Sequence, residues 1–427
     1  MNRVWWYSSR DDWADRLLYL GLICAAAGVC VSIPLMYIGL GLSLAGALLL
    51  WPEARGFLVG WRWAVLFSLW TCGCTLLSPY PIGFKLPGFV TCWIALPVWA
   101  LAVARCGNRR GVLIALVSGG AVALTLGVIQ FCVGFDQSNG PLRVGLEGRK
   151  FQVASGFYSH WIRFGDAMAI WSAWLMALAT SATATRPALA GVAAGMGIVG
   201  VLVSGARGAV LALAAGMWGA FSTTWRRSVG AALAGVVVVL ISGGILWQVW
   251  PERVRNTLNG QDGRTYIWAT SWQIIKQHPV HGVGNGAYNH AAVAVVDAGL
   301  APRNPDETVR MGNAHNSFVS LAVLYGVPGL VLWLGWLTSV VLGIFRHRQR
   351  HPAIMPLVFA TLGVILVGGL TEDLAAYAAS RFQLFFGLAL ALGLALRHTT
   401  GTTLAAISMT ASVPQATAPQ ATAPPAV

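Results

Sequence analysis

The stretch PALAGVAAGMGIVGVLVS at residues 187–204 decides the fold, because it contains no charged side chain. A helix needs about 17–25 such residues to cross the roughly 30 Å of hydrocarbon in a bilayer. Apolar runs of this length recur along the chain from Leu17 to Leu396. The pattern predicts an all-α integral membrane protein whose main solvent is the bilayer.

The composition excludes a soluble globular protein. Of the 427 residues, 56% are hydrophobic and only 10% are charged, whereas soluble domains carry about 25% charged residues. The first apolar run follows a segment that holds three acids and lacks a small-residue cleavage site after it, so we interpret it as a retained helix. The cysteines lie in or next to apolar runs and predict no disulfide framework.

About twelve helices are expected to span the bilayer, which would place both termini on the same side. Their predicted ranges are 17–33, 35–51, 63–78, 88–105, 111–134, 160–180, 187–204, 208–222, 229–250, 316–345, 353–371 and 380–396.

The basic residues support this topology. With both termini in the cytoplasm, the short inner loops are rich in arginine, for example at 105–110 and 346–350, which is the positive-inside pattern. Many other basic residues fall on the outer side, at 135–163, around Arg207 and at 251–314. The outer boundary has no topological need for these cations, so they indicate an anionic ligand.

We assign the membrane domain to residues 1–400. Two segments of the chain, 251–314 and 401–427, differ in composition from its apolar runs. Residues 251–314 are expected to form a long, partly helical outer loop. Residues 401–427 form a Pro-, Ala- and Thr-rich cytoplasmic tail that is expected to be disordered.

The outer loop contains two patterns of interest. RTYIWATSWQIIKQ, from Arg264, places Ile and Trp side chains partly on one helical face, which favours equally a helix resting on the membrane or the bundle and a simple loop helix. GVGNG at 282–286 is interpreted first as a turn and second as an anion-binding nest, because no strand precedes it.

The sequence lacks the motifs of common soluble enzymes, namely a Walker loop, a nucleotide fingerprint, HExxH and a nucleophile elbow. Among the outer basic residues, Arg207 is the clearest candidate for a functional role. It lies in GARGAVLAL between two apolar runs, where an isolated guanidinium costs several kcal/mol unless it reaches water or a partner. Arg207 therefore either snorkels at a helix end or presents its planar donors to phosphate oxygens, and the outer cations favour the second interpretation.

The motif HNSFVSLAVLYGVPG begins with His315 and Asn316, where the outer loop meets a long apolar run. A helix that starts there would direct its dipole and its free amides toward an anionic group. Spacing alone does not choose among the five histidines of the outer side, which are His160, His278, His281, His290 and His315.

These motifs resemble those of the O-antigen ligase and polymerase superfamily. RTYIWATSWQIIKQHPVHGVGNGAY has that family's Arg, a Trp four residues later, His-Pro and a Gly-x-Gly-x-Gly turn. HNSFVSLAVLYGVPG has its His, a following amide residue and two spaced glycines, and Arg207 with Leu211 fits its Arg-x-x-x-Leu. The order of the motifs, the long loop between them and the helix number agree as well, so the resemblance covers most of the chain.

The resemblance implies a membrane glycosyltransferase of the GT-C type in 1–400, active on the periplasmic side of a bacterial inner membrane. Its donor would be a glycan on undecaprenyl diphosphate, and the acceptor of a ligase would be the lipid A-core oligosaccharide, with no cofactor and no nucleic acid. By the match of motifs, Arg207, Arg264 and His315 are the expected catalytic residues.

Further residues are expected to bind substrate. Trp268 and Asn316 belong to the matched motifs. Lys85, Arg143 and Arg149 are added because of their charge and their outer position alone. The segment that holds the two arginines does not match the family pattern cleanly, so it either lines the donor site or supports it.

The implied reaction is attack by an acceptor hydroxyl on the anomeric carbon of the donor, with displacement of undecaprenyl diphosphate and inversion. His315 would accept the hydroxyl proton as a general base. Arg207 and Arg264, with Lys85 and Arg143, would stabilise the leaving diphosphate in place of a metal ion.

Two other classes of function remain open. An O-antigen polymerase or a protein O-oligosaccharyltransferase would use the same donor with another acceptor, although the compact loop and the lack of a folded C-terminal domain favour the ligase. A transporter or flippase for an anionic lipid would use the same basic cavity without a base, but no inverted hydropathy repeat is visible. Loss of His315 should harm an enzyme more than a transporter.

Overall fold

The computed structural model describes residues 10–80, 88–136, 140–141, 143–146, 149–158, 160–181, 186–221, 263–303, 312–347, 354–374 and 377–411. Within these ranges, the side chains of 135–152 and 398–411 lie outside the description.

Helices dominate the described part of the chain. In chain order they are α1 (Arg10–Gly28), α2 (Ile33–Leu49), α3 (Trp51–Ala54), α4 (Trp61–Leu76), α5 (Phe89–Arg105), α6 (Arg109–Val133), α7 (Trp161–Thr180), α8 (Pro187–Ser204), α9 (Arg207–Phe221), α10 (Gly263–Gln277), α11 (Tyr288–Asp297), α12 (Ser317–Phe345), α13 (Met355–Gly363), α14 (Gly369–Thr371) and α15 (Ala378–Ala411). A 3₁₀ turn at Arg55–Phe57 follows α3, and a π-helical turn at Val364–Gly368 joins α13 to α14.

The segment between α6 and α7 departs from the all-α prediction. It forms two small antiparallel pairs, β1 (Phe135–Asp136) with β2 (Gly140–Pro141) and β3 (Arg143–Leu146) with β4 (Arg149–Gln152).

Every predicted span except one coincides with helix in the structure, and the exception, 229–250, lies outside the described residues. Four helices in the described ranges are long and apolar enough to cross a membrane, namely α6, α8, α12 and the first part of α15. A fifth is obtained if α2 and the segment after it, which are bent by 107°, form one span. The protein is thus a helical, multi-pass membrane protein, and twelve spans stay a prediction.

Both ends of the described chain extend a helix beyond its predicted limits. α1 begins at Arg10 instead of 17, and its first turn includes Asp11 and Asp12, whose charge is favourable beside a helix N-terminus. α15 continues to Ala411 and so enters the tail that was predicted to be disordered. Residues 412–427 lie outside the described part.

Small residues allow the helices to approach closely. A Cβ on Gly39 of α2 would lie 2.6 Å from the Gly21 carbonyl oxygen of α1, and one on Gly46 would lie 2.8 Å from the Ala14 carbonyl oxygen. Such close backbone contact is typical of helix packing in membranes, where lipid competes equally for apolar surface.

A break in α12 anchors the outer loop. Gly326 has a positive φ of 70°, which interrupts the backbone hydrogen bonds of the helix. The turn at 282–286 satisfies them, since the Val283 and Gly284 amides donate to the carbonyls of Val323 and Leu324, both at 2.9 Å. The interpretation of GVGNG as a turn is therefore confirmed, and two of its amides are bound to α12.

α10 is the amphipathic helix of the loop, and it packs on the bundle. Ile267 and Ile274 are buried, and Ile274 contacts the apolar cluster that joins α11 to α12. Trp268 and Trp272 are 43% and 57% exposed, on the other side of the helix. The expectation that Ile and Trp share one face is wrong, because Ile267 and Ile274 are buried whereas Trp268 and Trp272 are exposed.

Candidate functional site

His315 occupies a strained position directly before α12. Its φ is 47°, in the left-handed region, and it is the one non-glycine residue in the described part of the chain with a positive φ. The Asn313 side chain accepts a hydrogen bond from the His315 amide at 3.0 Å, and the Trp268 indole donates to the Ala314 carbonyl at 2.9 Å. Strain of this kind persists only where the surroundings impose it, which is common at functional sites.

Glu372 holds the His315 ring. The Nδ1 of His315 lies 3.1 Å from Oε2 of Glu372, and the guanidinium of Arg264 forms an ion pair with Oε1 of the same carboxylate. Glu372 is only 3% exposed, and its backbone carbonyl accepts a hydrogen bond from the Ser317 hydroxyl. A buried carboxylate is stable only when it is paired, so Glu372 fixes Arg264 and His315 relative to each other.

Arg207 begins α9, and the first turn of this helix lies beside Glu372. A Cβ on the next residue, Gly208, would lie 2.8 Å from the Thr371 hydroxyl and 3.4 Å from Cγ of Glu372. Glycine is thus what lets the start of α9 approach Glu372. Arg264 and His315, which are far apart in sequence, both contact this acid, and the backbone next to Arg207 lies close to it.

A second group of polar side chains surrounds this cluster. Asn313 donates to the hydroxyl of Tyr377 at 2.6 Å, and the guanidinium carbon of Arg163 lies 3.8 Å from the centre of the Tyr377 ring. Burial and the positive charge of Arg163 lower the pKa of His160, which precedes α7, although Glu372 acts in the opposite direction. His160 therefore stays neutral where an ordinary histidine begins to be protonated.

Two further buried acids, Asp166 and Asp373, are not among the predicted site residues. Asp166 of α7 is 3% exposed and close enough to Glu372 and Arg264 for their charges to act on it. Asp373 is 1% exposed. The sequence contains the signal, since an acid inside or beside an apolar run is expensive and so points to function.

Asn316 serves α12 instead of the His315 ring. Its side-chain oxygen accepts from the amides of Phe318 and Val319, and its amide donates to the Leu370 carbonyl. The residue that contacts the His315 ring is Glu372.

The remaining predicted substrate-binding residues have different outcomes. Trp268 lies beside the site, because its indole donates a hydrogen bond to the Ala314 carbonyl, and its side chain is half-exposed. Arg143 and Arg149 lie at the two ends of the β3–β4 hairpin, paired with Gln152 and Leu146 respectively; their side chains are outside the described part. Lys85 also lies outside the described residues.

Residues 171–334 match the family described as O-antigen ligase. This part of the chain is similar to the O-antigen ligase family. The resemblance stated from the motifs is thereby confirmed, and the match includes Arg207, Arg264 and His315. No curated protein matches the chain.

Members of the O-antigen ligase family are glycosyltransferase-like enzymes that act on glycan-lipid substrates. Glu372 and Asp166 lie outside the matched range, so the structure adds them to what the motifs identify. Glu372 can only accept a hydrogen bond from Nδ1 of His315 while it is ionised. When Nδ1 of the neutral ring donates to Glu372, Nε2 carries the lone pair, so His315 is oriented as a proton acceptor, and Arg264 binds the same carboxylate.

Proposed function

We propose that this protein is an O-antigen ligase, which transfers a glycan from undecaprenyl diphosphate to the lipid A-core oligosaccharide. The observation that carries the proposal is the sharing of Glu372 by Arg264 and His315, with the start of α9 close to the same residue at Gly208. A proton acceptor and cations for a diphosphate are thus supported by one buried carboxylate.

In the proposed reaction, a hydroxyl oxygen of the acceptor sugar forms a bond to the anomeric carbon of the donor. The bond between that carbon and the diphosphate oxygen breaks on the opposite side, so the configuration inverts. Nε2 of His315 takes the hydroxyl proton, and undecaprenyl diphosphate leaves with the bonding electrons. Glu372 stabilises the imidazolium that forms, as a carboxylate does behind other catalytic histidines.

Arg207 and Arg264 bind the diphosphate and stabilise the charge that develops on it. Arg264 is only partly committed to Glu372, because a guanidinium has five N–H donors in a rigid fork. Its side chain is 29% exposed, which leaves it accessible to a ligand. Cations held in place before the reaction stabilise the charge that develops on the leaving group, so the proposed reaction needs no metal ion.

The other predicted substrate-binding residues have supporting roles. Trp268 presents a half-exposed ring beside His315, which suits contact with the apolar face of a sugar. Lys85, Arg143 and Arg149 add positive charge for the donor. Asn316 acts indirectly, since it caps the helix that follows His315.

The proposed location is the bacterial inner membrane, with about twelve spans, both termini in the cytoplasm and 251–314 in the periplasm. The arginine-rich loops at 105–110 and 346–350 support this orientation. Reporter fusions or cysteine labelling at His290 and at Arg346 should report opposite sides of the membrane. A cytoplasmic His290 would overturn the proposed orientation.

The test of the function is transfer by the purified protein from undecaprenyl-diphosphate glycan to lipid A-core, followed by gel mobility. A polymerase would lengthen the glycan on the donor, and an oligosaccharyltransferase would modify a protein acceptor instead. Transfer to either of these, with none to lipid A-core, would replace the ligase.

The role of Glu372 is tested by Glu372→Gln and Glu372→Asp in the same assay. The amide of Gln can donate to Nδ1 and so favours the tautomer in which Nε2 carries the proton, which should lower the rate by up to about 10⁴, as the equivalent change does in a serine protease triad. Asp keeps the charge and should restore part of the activity. Asp297→Asn is the control, because Asp297 forms an exposed ion pair with Arg303.

The pH profile of transfer tests whether Glu372 orients the His315 ring or only stabilises the fold. If Glu372 acts through His315, the conservative Asp variant should retain a bell-shaped or sigmoidal profile whose midpoint is shifted from that of the wild type. Wild-type rates in Glu372→Gln at every pH would contradict the arrangement.

A further inference from the structure

A second candidate binding site lies at the opposite end of the helix bundle. α7 begins beside the His315 cluster and ends at Thr180, and a helix of this length spans about 30 Å. Near its end, helices α1, α5, α6, α7, α8 and α15 enclose a cavity of about 90 Å³. The cavity is too far from His315 to belong to the site described above.

The interior of this cavity is apolar. Its walls include Leu22 of α1, Leu116 of α6, Leu178 of α7 and Phe386 with Leu390 of α15. An apolar cavity of this kind does not attract water and accepts hydrocarbon.

Two arginines line the same cavity. Arg109 begins α6, and its Nε is buried without a hydrogen-bond partner among the described residues. Arg186 precedes α8, where its side chain does not cap the helix. Arg397 is close enough for its charge to repel that of Arg109. A buried donor without a partner and a cluster of like charges are both unfavourable.

The acids at this end of the bundle do not neutralise the cavity. Asp15 and Glu53 form ion pairs with Arg105, at 2.8 Å and 3.2 Å. No acid occurs among the residues that line the cavity. An anionic ligand would complement both Arg109, whose Nε is buried, and Arg186, which is exposed at the edge of α8.

We propose that this cavity binds an anionic phospholipid, with part of an acyl chain between the helices and its phosphate on Arg109 and Arg186. The apolar walls fit the chain, and the arginines fit phosphate oxygens, which they bind in a two-pronged geometry. Basic pockets between membrane helices are a recognised way to hold acidic lipid headgroups.

A free inorganic anion explains fewer of the observations. It would satisfy Arg109 and Arg186 but would leave the hydrocarbon walls at Leu116 and Phe386 without a partner. A lipid provides both contacts and is present at high concentration in the membrane.

The experiment compares the thermal stability of the full-length protein in a neutral detergent with added phosphatidylglycerol, phosphatidylcholine or inorganic phosphate. Phosphatidylglycerol should raise the Tm by about 2 °C or more, because a ligand that binds only the folded state stabilises it. Phosphatidylcholine and inorganic phosphate should each produce a much smaller shift. Native mass spectrometry should show one retained phosphatidylglycerol.

Two variants test the contacts. Arg109→Gln with Arg186→Gln should lose the shift that is specific to phosphatidylglycerol and the retained lipid, whereas Arg110→Gln, an exposed neighbour that does not line the cavity, should keep both. Ala190→Leu narrows the cavity but leaves the arginines, and it should weaken lipid retention if its Tm in detergent alone shows that it is folded.

Three results would overturn the proposal. They are equal shifts with phosphatidylcholine and phosphatidylglycerol, a shift with inorganic phosphate as large as that with lipid, and a phosphatidylglycerol shift that survives in the double arginine variant.

Discussion

The two ends of α7 differ in whether an acid accompanies the arginines that lie there. At its start, Arg264 is paired with Glu372, and the same carboxylate holds His315. At its end, Arg109 and Arg186 line an apolar cavity that contains no acid. Where the protein supplies the counter-charge, it fixes the geometry of reactive groups, and where it does not, a ligand has to supply it. The first arrangement suits catalysis and the second suits binding.

The largest expected effect comes from removing the proton acceptor at the first end. His315→Ala should lower transfer by about 10² to 10⁴, the usual loss for a positioned general base, while undecaprenyl diphosphate still binds. Transfer is measured by gel mobility, and binding is measured separately with the donor lipid.

His290→Ala is the matched control, because His290 is exposed on α11 and is not one of the residues described above as contacting Glu372. It should remain active. Near-normal transfer by His315→Ala would remove this base from the mechanism and leave the acids Glu372 and Asp373 as the candidates to test next.

The next effect concerns the cations. Arg207→Ala and Arg264→Ala should each lower transfer by about 10² to 10³, the range for removal of one preorganised donor. Lys at either position should restore only part of the rate, since an ammonium cannot make two parallel hydrogen bonds to a phosphate group. The measurement is kcat and KM for the donor.

Arg110→Gln serves as the control for a change of net charge, because Arg110 is exposed and lies next to the cavity at the other end. If the lysine variants transfer glycan as fast as the wild type, positive charge alone is sufficient. The proposed two-pronged contact of Arg207 and Arg264 with the diphosphate would then be contradicted.

A smaller effect is expected from the contact that supports His315. Trp268→Phe keeps the ring but removes the donor to the Ala314 carbonyl. One such hydrogen bond contributes about 1 kcal/mol, so transfer should fall by about fivefold if the bond helps to fix the next residue, His315. Trp272→Phe is the control, since Trp272 is exposed one helical turn away. Equal rates for the two variants would show that the bond does not position the base.

The smallest expected effect is that of chelation. Transfer should be unchanged in EDTA, because Arg207 and Arg264 provide the positive charge that a divalent metal provides elsewhere. The assay is repeated with Mg²⁺ or Mn²⁺ added back. Loss in EDTA with recovery on addition of metal would reassign Asp166, Glu372 and Asp373 as possible ligands and would contradict the arginine mechanism.

Much of the fold was predictable because hydropathy is a local property. The runs at 111–134, 187–204 and 316–345 match α6, α8 and α12 to within two residues. The start of α1 was not predictable from hydropathy, since its first turn carries Asp11 and Asp12 and so lacks the apolar signal. The π-helical turn and the break at Gly326 were also invisible, because both depend on what packs against the helix.

The sequence by itself determined that this is a helical membrane protein, and its motifs selected Arg207, Arg264 and His315. Only the tertiary structure decided that Glu372 joins two of them, because Arg264 and His315 are 108 and 57 positions away from it. The same holds for the exposed face of α10 and for the cavity at Arg109. A hydropathy pattern or a motif depends on neighbours along the chain, whereas an ion pair or a cavity depends on which helices meet, and that follows from the packing of the whole bundle.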